Sequence, residues 1–352
     1  MRSERPRALT TTPTVSVVIP CYNYAHFLPE AVASALDQQG VRADVLIVDD
    51  ASSDASPEVA RRLAAADPRV QVVLHQENMG HIATYNDGLS RVTGDYVVLL
   101  SADDLLMPGS LARSTALLEA EPDVVLAYGY PVTFVDEPPE DDGAVRGWTV
   151  WDGEEWLHRV CARGRNVIAN PEVVLRRSVM DELGGYEADH PHAADLKLWM
   201  RAAARGGVGR VNGPVQACYR QHGDNMHTTH FAGMLTDLRE VKRVFDTFFD
   251  EGEVAAPVAA RLRPTANRAL AREALMLAGV AQAEGGRRTG ASADELAGFA
   301  AACYPPVVGS RGWRAVERRR RTGVGAVERA LVQRAFAVRW AVRWRRWRRW
   351  GT

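Results

Sequence analysis

The sequence predicts an α/β fold: a mostly parallel sheet with helices on both faces, followed by a mainly helical C-terminal region. Three observations carry this expectation. Short β-branched runs alternate with helical stripes through the N-terminal third, and polar residues gather where those runs end. Beyond about residue 231 the texture changes to Ala- and Arg-rich helical segments with glycine breaks such as Glu284-Gly285-Gly286.

The elements follow in order. Val15-Ser16-Val17-Val18-Ile19 is apolar, brief and stopped by Pro20, as a buried strand is when it delivers the chain to a loop. Leu28, Val32 and Leu36 then mark a helix, and Val45-Leu46-Ile47-Val48 a second buried strand ending on Asp49-Asp50. Ser56 reads as an N-cap with Pro57 at the first helical position and Val59 and Leu63 as the apolar stripe. A third strand over 70–74, a third helix over 82–89 and a fourth strand, Tyr96-Val97-Val98-Leu99-Leu100, complete the series. That last strand ends on Ser101-Ala102-Asp103-Asp104. Residues 136–142 read as an acidic loop, Asp152-Gly153-Glu154-Glu155 as a capped helix start, and Val173-Val174-Leu175 as a further strand. In parallel βαβ units ligands collect outside the carboxyl ends of the strands, where Pro20-Cys21-Tyr22-Asn23, Asp49-Asp50 and Asp103-Asp104 fall. Neither a G-x-G-x-x-G dinucleotide turn nor a P-loop is present.

Composition sets the outer bounds. With 352 residues, 46% hydrophobic and 25% charged, the chain has room for two domains, or one large domain with an appendage. No stretch reaches the roughly 18–20 apolar residues of a membrane span. Residues 1–13 lack the apolar core of a secretory leader, so a cytoplasmic location is expected. Cys21, Cys161, Cys218 and Cys303 are widely separated, which predicts buried free thiols and no zinc knuckle. The spacing of His190, His192, His227 and His230 likewise fits no zinc site. The net charge of −1 conceals an asymmetry: residues 311–352 hold fourteen Arg, no Lys and two Glu, leaving an acidic body and a strongly basic tail.

Asp103-Asp104 after an apolar strand is a candidate divalent-cation site, because Mg²⁺ takes one or two carboxylates together with substrate phosphates. At this point the motifs combine. Strand one with its Pro20-x-Tyr22-Asn23 turn resembles the opening of the family 2 glycosyltransferases. Val48-Asp49-Asp50-Ala51-Ser52-Ser53-Asp54 is similar to that family's V-D-D-x-S-x-D, and Asn78-x-Gly80 with Tyr85-Asn86-x-Gly88 to its N-x-G…R-N-x-G. Gly94-Asp95-Tyr96 leads to Leu100-Ser101-Ala102-Asp103-Asp104, which matches L-D-A-D-D except for Ser101. Asp195-Leu196-Lys197-Leu198-Trp199-Met200-Arg201 resembles the family's D-x-D-L-W-L-R segment, and Tyr219-Arg220-Gln221-His222 its Y-R-x-H. The match runs from about residue 14 to residue 227.

The resemblance implies a GT-A type, Rossmann-like nucleotide-binding sheet over 14–230, preceded by a flexible N-terminus (1–13). A helical extension (231–310) and a basic, Trp-rich amphipathic tail (311–352) would follow. It implies an inverting transfer of sugar from a nucleotide-diphosphate donor to an acceptor hydroxyl on a glycan, lipid-linked sugar or secondary metabolite. A Mg²⁺ or Mn²⁺ ion would assist departure of the diphosphate. Pro20, Tyr22, Asn23, Asp49, Asp50, Asn78, Gly80, Asn86, Ser101, Ala102 and Asp103 would then contact the donor nucleotide, Tyr22 lying against the base and Asp50 accepting its imide N–H. Asp103, Asp104 and His222 are the implied metal residues and Asp195 the implied general base. Gly184-Gly185-Tyr186 resembles a turn on the acceptor side, where Trp199 would join it, and Trp148, Trp151 and Trp156 could stack on a sugar or pack the core.

In the tail, Phe336, Trp340, Trp344, Trp347 and Trp350 share an arc of about 120° on a helix. Two placements follow: indoles at a membrane surface at the inner face of the cell membrane, with Arg on anionic lipid, or a tail docked on the acidic body. Nucleic acid is not expected as a partner. Two other classes were weighed. A nucleotidyltransferase would want a basic Gly-rich loop after strand one, and residues 20–27 hold no Lys or Arg. A catalytically impaired family member, acting as a carbohydrate- or nucleotide-binding subunit, is the alternative that Ser101 leaves open.

Overall fold

The computed structural model describes residues 1–141, 143–223, 225 and 233–351, and the chain divides into two compact units. The first comprises Met1–Trp156 and Ile168–His222, the second Leu157–Val167 and Gly223–Thr352. His227 and His230 lie outside the described residues.

The first unit is built on one ten-stranded sheet. Strands β2 (Thr14–Cys21), β3 (Arg42–Asp49), β4 (Val70–Leu74) and β5 (Tyr96–Leu99) run parallel in the order β5-β2-β3-β4. Helices α1 (Leu28–Leu36), α2 (Ser56–Ala66) and α3 (His81–Leu89) connect them. Both faces of β2 are covered, since Val15, Val17 and Ile19 on one face and Val18 on the other are all 0% exposed. That double burial explains the near-continuous apolar runs in the sequence. The chain winds from β2 toward β3 and β4, then returns to place β5 on the other side of β2. This reversal opens a crevice at the carboxyl end of β2.

The sheet continues through β9 (Val174–Arg176), antiparallel to β5, and then β7 (Val124–Phe134), β10 (Gly207–Arg220) and β8 (Gly147–Trp151). The short β6 (Leu105–Leu106) pairs with β10, and β1 (Arg2–Glu4), within the segment expected to be flexible, adds an edge strand to β8. Helices α4 (Ser110–Ala120), α5 (Gly153–Arg163), α6 (Arg177–Leu183) and α7 (Ala194–Ala203) complete the series through His222. Sequence patterning missed β7, β8 and β10. Gly129 and Pro131 in β7, and Gly207, Gly209 and Gly213 in β10, read locally as breaks. Pairing on both sides overrides them, and shifts in the β7–β10 register near Arg210 and Val215 absorb the irregularity.

Three local expectations resolve differently. Trp148, Trp151 and Trp156 are 2%, 0% and 0% exposed, so all three pack the core and none is a sugar platform. Ser56 opens α2 without capping it; Asp54 Oδ1 accepts from Ser56 N (2.9 Å) instead. Asp152 does cap α5, its Oδ1 accepting from Glu155 N at 2.8 Å. The four cysteines are free and buried, as expected.

The second unit is helical: α8 (Met234–Asp250), α9 (Ala256–Glu284), α10 (Ala293–Cys303), α11 (Arg311–Thr322) and α12 (Ala326–Trp350). Its central charge is Glu273 on α9, 4% exposed. Arg165 reaches it at 2.8 Å and Arg339 at 3.6 Å, and Arg343 hydrogen-bonds both of its oxygens. Burial alone would raise this carboxyl's pKa, but the Arg343 hydrogen bonds and the surrounding guanidinium charges bring it below its ordinary value. The aromatic arc of α12 turns toward this unit. Trp347 Nε1 donates to Val167 O (2.7 Å), Arg165 covers the Trp340 ring and Arg288 the Phe336 ring. Phe336 and Trp347 are thereby held to the unit, whereas Trp340 and Trp344 stay 51% and 47% exposed; the Trp350 side chain lies outside the described residues. No helix among the described residues is long and apolar enough to cross a membrane.

Two substitutions test this packing. A Cβ on Gly88 would sit 2.4 Å from Val18 Cγ1 and 3.0 Å from Val48 Cγ2, so Gly88→Ala must push α3 off the sheet. Overpacking of this kind is expected to cost about 1–3 kcal/mol in denaturant unfolding. Glu273→Ala leaves three arginines around an apolar stub and is expected to cost about 3–5 kcal/mol, with α12 becoming susceptible to limited proteolysis. An α12 as resistant as in the wild type would show that the helix is held by its rings alone.

Candidate active site

The site begins at the carboxyl ends of β2 and β3, which meet in register at Cys21 and Asp49. The two loops that follow hold one another. Asn23 N donates to Ser52 Oγ (2.9 Å), while Asn23 Oδ1 accepts from Ser53 N (2.8 Å) and Asp54 N (3.3 Å). Tyr24 N donates to Ser56 Oγ and Ala25 N to Asp54 Oδ2, both at 3.1 Å. Asn23 (φ 59°) and Ala51 (φ 57°) adopt left-handed backbone, the only non-glycine residues to do so among those described. For Ala51 this conformation costs about 1–2 kcal/mol, held in place by the mutual bracing of the loops. Asn23 is thus a structural clasp. Pro20 is half-buried beside it, and Tyr22, 48% exposed, presents a ring to solvent at the crevice.

The adjacent aspartates divide their work. Asp50 Oδ1 accepts from Met79 N (2.8 Å) and Oδ2 from Gly80 N (3.0 Å), and His75 Nδ1 lies 2.9 Å from Oδ1. Asn78 Oδ1 also accepts from Gly80 N (3.1 Å), so the carboxylate of Asp50 anchors the Asn78-Met79-Gly80 loop. A base N–H at Asp50, as expected, would have to share oxygens that already receive these donors. Asp49 is different. Its Oδ1 accepts from Ser52 N at 3.1 Å, whereas its buried Oδ2 has no partner among the described residues.

His75 bridges Asp50 to Asp87, Nε2 lying 3.2 Å from Asp87 Oδ2. Burial lowers its pKa, but hydrogen bonds to the two carboxylates outweigh burial and raise it above its ordinary value. Asp50 is correspondingly held below the usual carboxylate range: burial opposes ionisation, and the donors from His75, Met79, Thr84 and Gly80 more than offset it.

Strand β5 delivers Ser101, Ala102, Asp103 and Asp104 to the same end of the sheet, Ser101 half-buried and Ala102 fully buried. Asp103 Oδ2 lies 3.0 Å from His222 Nε2. Asp104 faces inward: its Oδ1 accepts from Arg220 N (2.9 Å), and burial followed by the Asp103 charge pushes its pKa well up. One oxygen of Asp104 therefore braces the turn. Asp103 and His222 converge, and one carboxylate with one imidazole suits an ion that completes its shell with diphosphate oxygens. Among the described residues no third ligand joins them into a closed cage. Arg220 lies between Phe27 and Phe134, its Cζ 4.7 and 4.4 Å from the ring centroids. Its Nε donates to Asp103 O (2.9 Å) and Nη2 to Glu30 Oε2 (2.5 Å).

Asp195 opens α7, its Oδ1 accepting from Leu196 N at 2.7 Å. Tyr85 locates it relative to the metal turn. The Tyr85 phenol is held protonated first by burial and then by the charges of Asp103, Asp195 and Asp104. Tyr186 stacks edge-on against Tyr85 at 5.4 Å and against Trp199 at 6.3 Å. Both Tyr186 (5% exposed) and Trp199 (2%) are buried, so they support the acceptor side without presenting a face to it. Asn86 clamps the turn: Nδ2 donates to Tyr186 O and Oδ1 accepts from Tyr186 N, both at 2.8 Å. A Cβ on Gly185 would lie 2.3 Å from Asn86 Oδ1, and its φ of +89° reinforces the need for glycine; Gly184 (φ +72°) caps α6. Asn86, expected at the donor, is thereby assigned to bracing. Lys197, an unusual cation in this motif, is buried 3.4 Å from Glu187.

Sequence reasoning missed His75 and Glu172, and gave Tyr85 and Arg220 as motif positions without a role for either. Glu172 is 2% exposed with Oε2 unpartnered, and burial above all raises its pKa, with Asp195 adding to the rise. Nothing in the local spacing of any of the four reveals that the fold gathers them here.

Comparison with known proteins bears on this arrangement. Residues 16–157 match the model of glycosyl transferase family 2. An uncharacterized glycosyltransferase of Haemophilus influenzae is 24% identical over 246 residues, covering 67% of this chain and 74% of that protein. The succinoglycan biosynthesis protein ExoO of Rhizobium meliloti is 36% identical over 108 residues, 31% of this chain and 30% of that protein. Among solved structures, the mannosyltransferase PcManGT from Pyrobaculum calidifontis, in complex with GDP-Man and Mn²⁺, superposes with a TM-score of 0.60 at 19% identity, covering 100% of this chain and 87% of that one. S. aureus TarS 1-349 in complex with UDP-GlcNAc gives 0.58 at 14%, covering 88% and 91%. The fold is that of these glycosyltransferases, and residues 16–157 are similar to glycosyl transferase family 2.

Proposed function

We propose that the chain transfers a sugar from a nucleoside-diphosphate donor to an acceptor hydroxyl with inversion at the anomeric carbon. The observation that carries the reading is the 3.0 Å approach of His222 to Asp103 beyond the carboxyl end of β5, with the charges of Asp103 and Asp195 both felt at Tyr85. Tyr22 offers an exposed ring to the base, and Asp49, with its unengaged Oδ2, is the acceptor for a base N–H in place of Asp50. The Asn78–Gly80 loop, fixed by Asp50, forms one wall of the nucleotide cleft.

Asp103 and His222 would hold Mg²⁺ or Mn²⁺, which when bound offsets the charge growing on the departing diphosphate. Arg220 keeps that turn in place by holding the Asp103 carbonyl. Asp195 accepts the acceptor hydroxyl's proton as the oxygen attacks, and a base opposite the leaving group gives inversion. Tyr85 stays neutral between these carboxylates and separates like charges. PcManGT is described with GDP-Man and Mn²⁺ and TarS with UDP-GlcNAc, which supports a sugar nucleotide and a divalent cation as the ligands to test first. A glycan or lipid-linked acceptor, met at the inner face of the cell membrane by the C-terminal tail, fits the donor's cytoplasmic origin. Ser101, lacking the carboxylate of L-D-A-D-D, supports a second reading as a binding subunit that no longer transfers sugar.

Melting curves with UDP, GDP and their sugar conjugates, with and without Mn²⁺, separate the two readings. Nucleotide at about 100 times its Kd should add about 2.7 kcal/mol of stability. The metal-dependent part of that shift is expected to vanish in Asp103→Asn. Asp195→Asn should keep the nucleotide shift and lose about 10²–10⁴-fold in transfer. Unchanged transfer would remove Asp195 as the base, and transfer absent from the wild type with every donor would favour the binding subunit.

The His75 bridge sets a pH dependence. A histidine whose pKa is raised on folding stabilises fully below its ordinary value of about 6.5 and loses that contribution as pH rises through the raised value. The melting difference between wild type and His75→Gln should be largest near pH 6 and shrink at alkaline pH. A difference that grows with pH would contradict the bridge. Asp50, with its lowered pKa, works in the opposite sense and loses its contribution only on acidification below about pH 4.

A further inference from the structure

Docking of α12 leaves a second face of that helix uncovered. Val327, Leu331, Val338 and Val342 are 76%, 61%, 55% and 44% exposed. At about 100° per residue they fall within about 60° of arc, opposite Phe336, Arg343 and Trp347, which hold the helix to its own unit. The same arc continues into exposed Arg345 and Arg349 in the last turns, with Arg346 and Arg348 flanking it. An apolar stripe running into a cationic end needs a partner that accepts both.

We propose that this outer face of α12 binds an anionic lipid surface, Val327, Leu331, Val338 and Val342 entering the acyl boundary while the terminal arginines meet lipid phosphates. The inference rests on the peripheral placement proposed above but on none of the transfer chemistry. Charge selects the occupant. Residues 311–352 carry fourteen Arg against two Glu in a chain whose net charge is −1. A second copy seated on the stripe would set Arg334, Arg345 and Arg349 against their like. Nucleic acid would satisfy the arginines but leave four aliphatic side chains in water. A bilayer interface takes the aliphatic side chains and the guanidinium groups together.

Vesicle flotation of the full chain tests this, comparing phosphatidylcholine alone with phosphatidylcholine containing phosphatidylglycerol. Binding is expected only to the anionic vesicles and should weaken with salt. Arg345→Gln and Arg349→Gln should each weaken it about fivefold. Leu331→Asp with Val338→Asp should abolish it while leaving circular dichroism and the nucleotide melting shift unchanged. Equal binding to both vesicle types, or none to either, overturns the proposal. So does a concentration-dependent dimer that the Leu331→Asp, Val338→Asp variant dissolves in the absence of vesicle binding. DNA binding that survives this variant, with no vesicle binding in the wild type, overturns it as well. Failure of the donor-site reading would appear in the nucleotide melts alone and leave vesicle binding intact.

Discussion

The carboxyl end of the sheet depends on where Arg220 is buried. The last residue of β10 lies between Phe27 and Phe134, so its guanidinium is screened from water and its hydrogen bonds must be made within the protein. They go to the Asp103 carbonyl and to Glu30, while its backbone N–H meets Asp104. One residue thereby ties the β5 turn, helix α1 and the central strand β10 together. His222, two residues further on, is brought to Asp103 by the same anchorage. Asp104 illustrates the consequence. A carboxyl that looks like a metal ligand in the sequence gives one oxygen to holding the turn, while Asp103 and His222, from distant segments, meet beside it.

The donor side shows the same economy by another route. Asn23 and Asp50 are both polar residues at strand ends, and both spend their side chains on backbone N–H groups of neighbouring loops. The Tyr22 ring is left exposed, and Asp49 keeps one buried oxygen without a partner among the described residues. Left-handed Ala51 fits this picture, since a strained residue persists only where its surroundings over-determine it.

The C-terminal unit separates two roles that its composition had merged. Aromatic rings and arginines on one side of α12 meet Glu273, Val167 and neighbouring cations, a set of contacts internal to the unit. The opposite side keeps aliphatic residues and terminal arginines in water. A helical wheel drawn from sequence ranks the indoles as the membrane face because they are the largest apolar groups. Docking divides the indoles instead, holding Trp347 through Val167 while Trp340 and Trp344 stay about half exposed.

The sequence by itself determined the alternation of strand and helix through residue 100, the strand-end positions of Tyr22, Asp49, Asp103 and their neighbours, and the free, buried state of the cysteines. These are legible because hydrophobic periodicity and strand termini are local properties. It did not determine β7, β8 or β10, whose glycines and prolines resemble breaks until long-range pairing covers them. Nor did it separate ligand-facing from bracing roles within one motif. Asp49 and Asp50 are chemically identical neighbours, and only the loop that arrives from β4 decides which one has its oxygens filled. Tertiary structure made that choice, because a buried hydrogen-bond donor must find an acceptor wherever the fold places it.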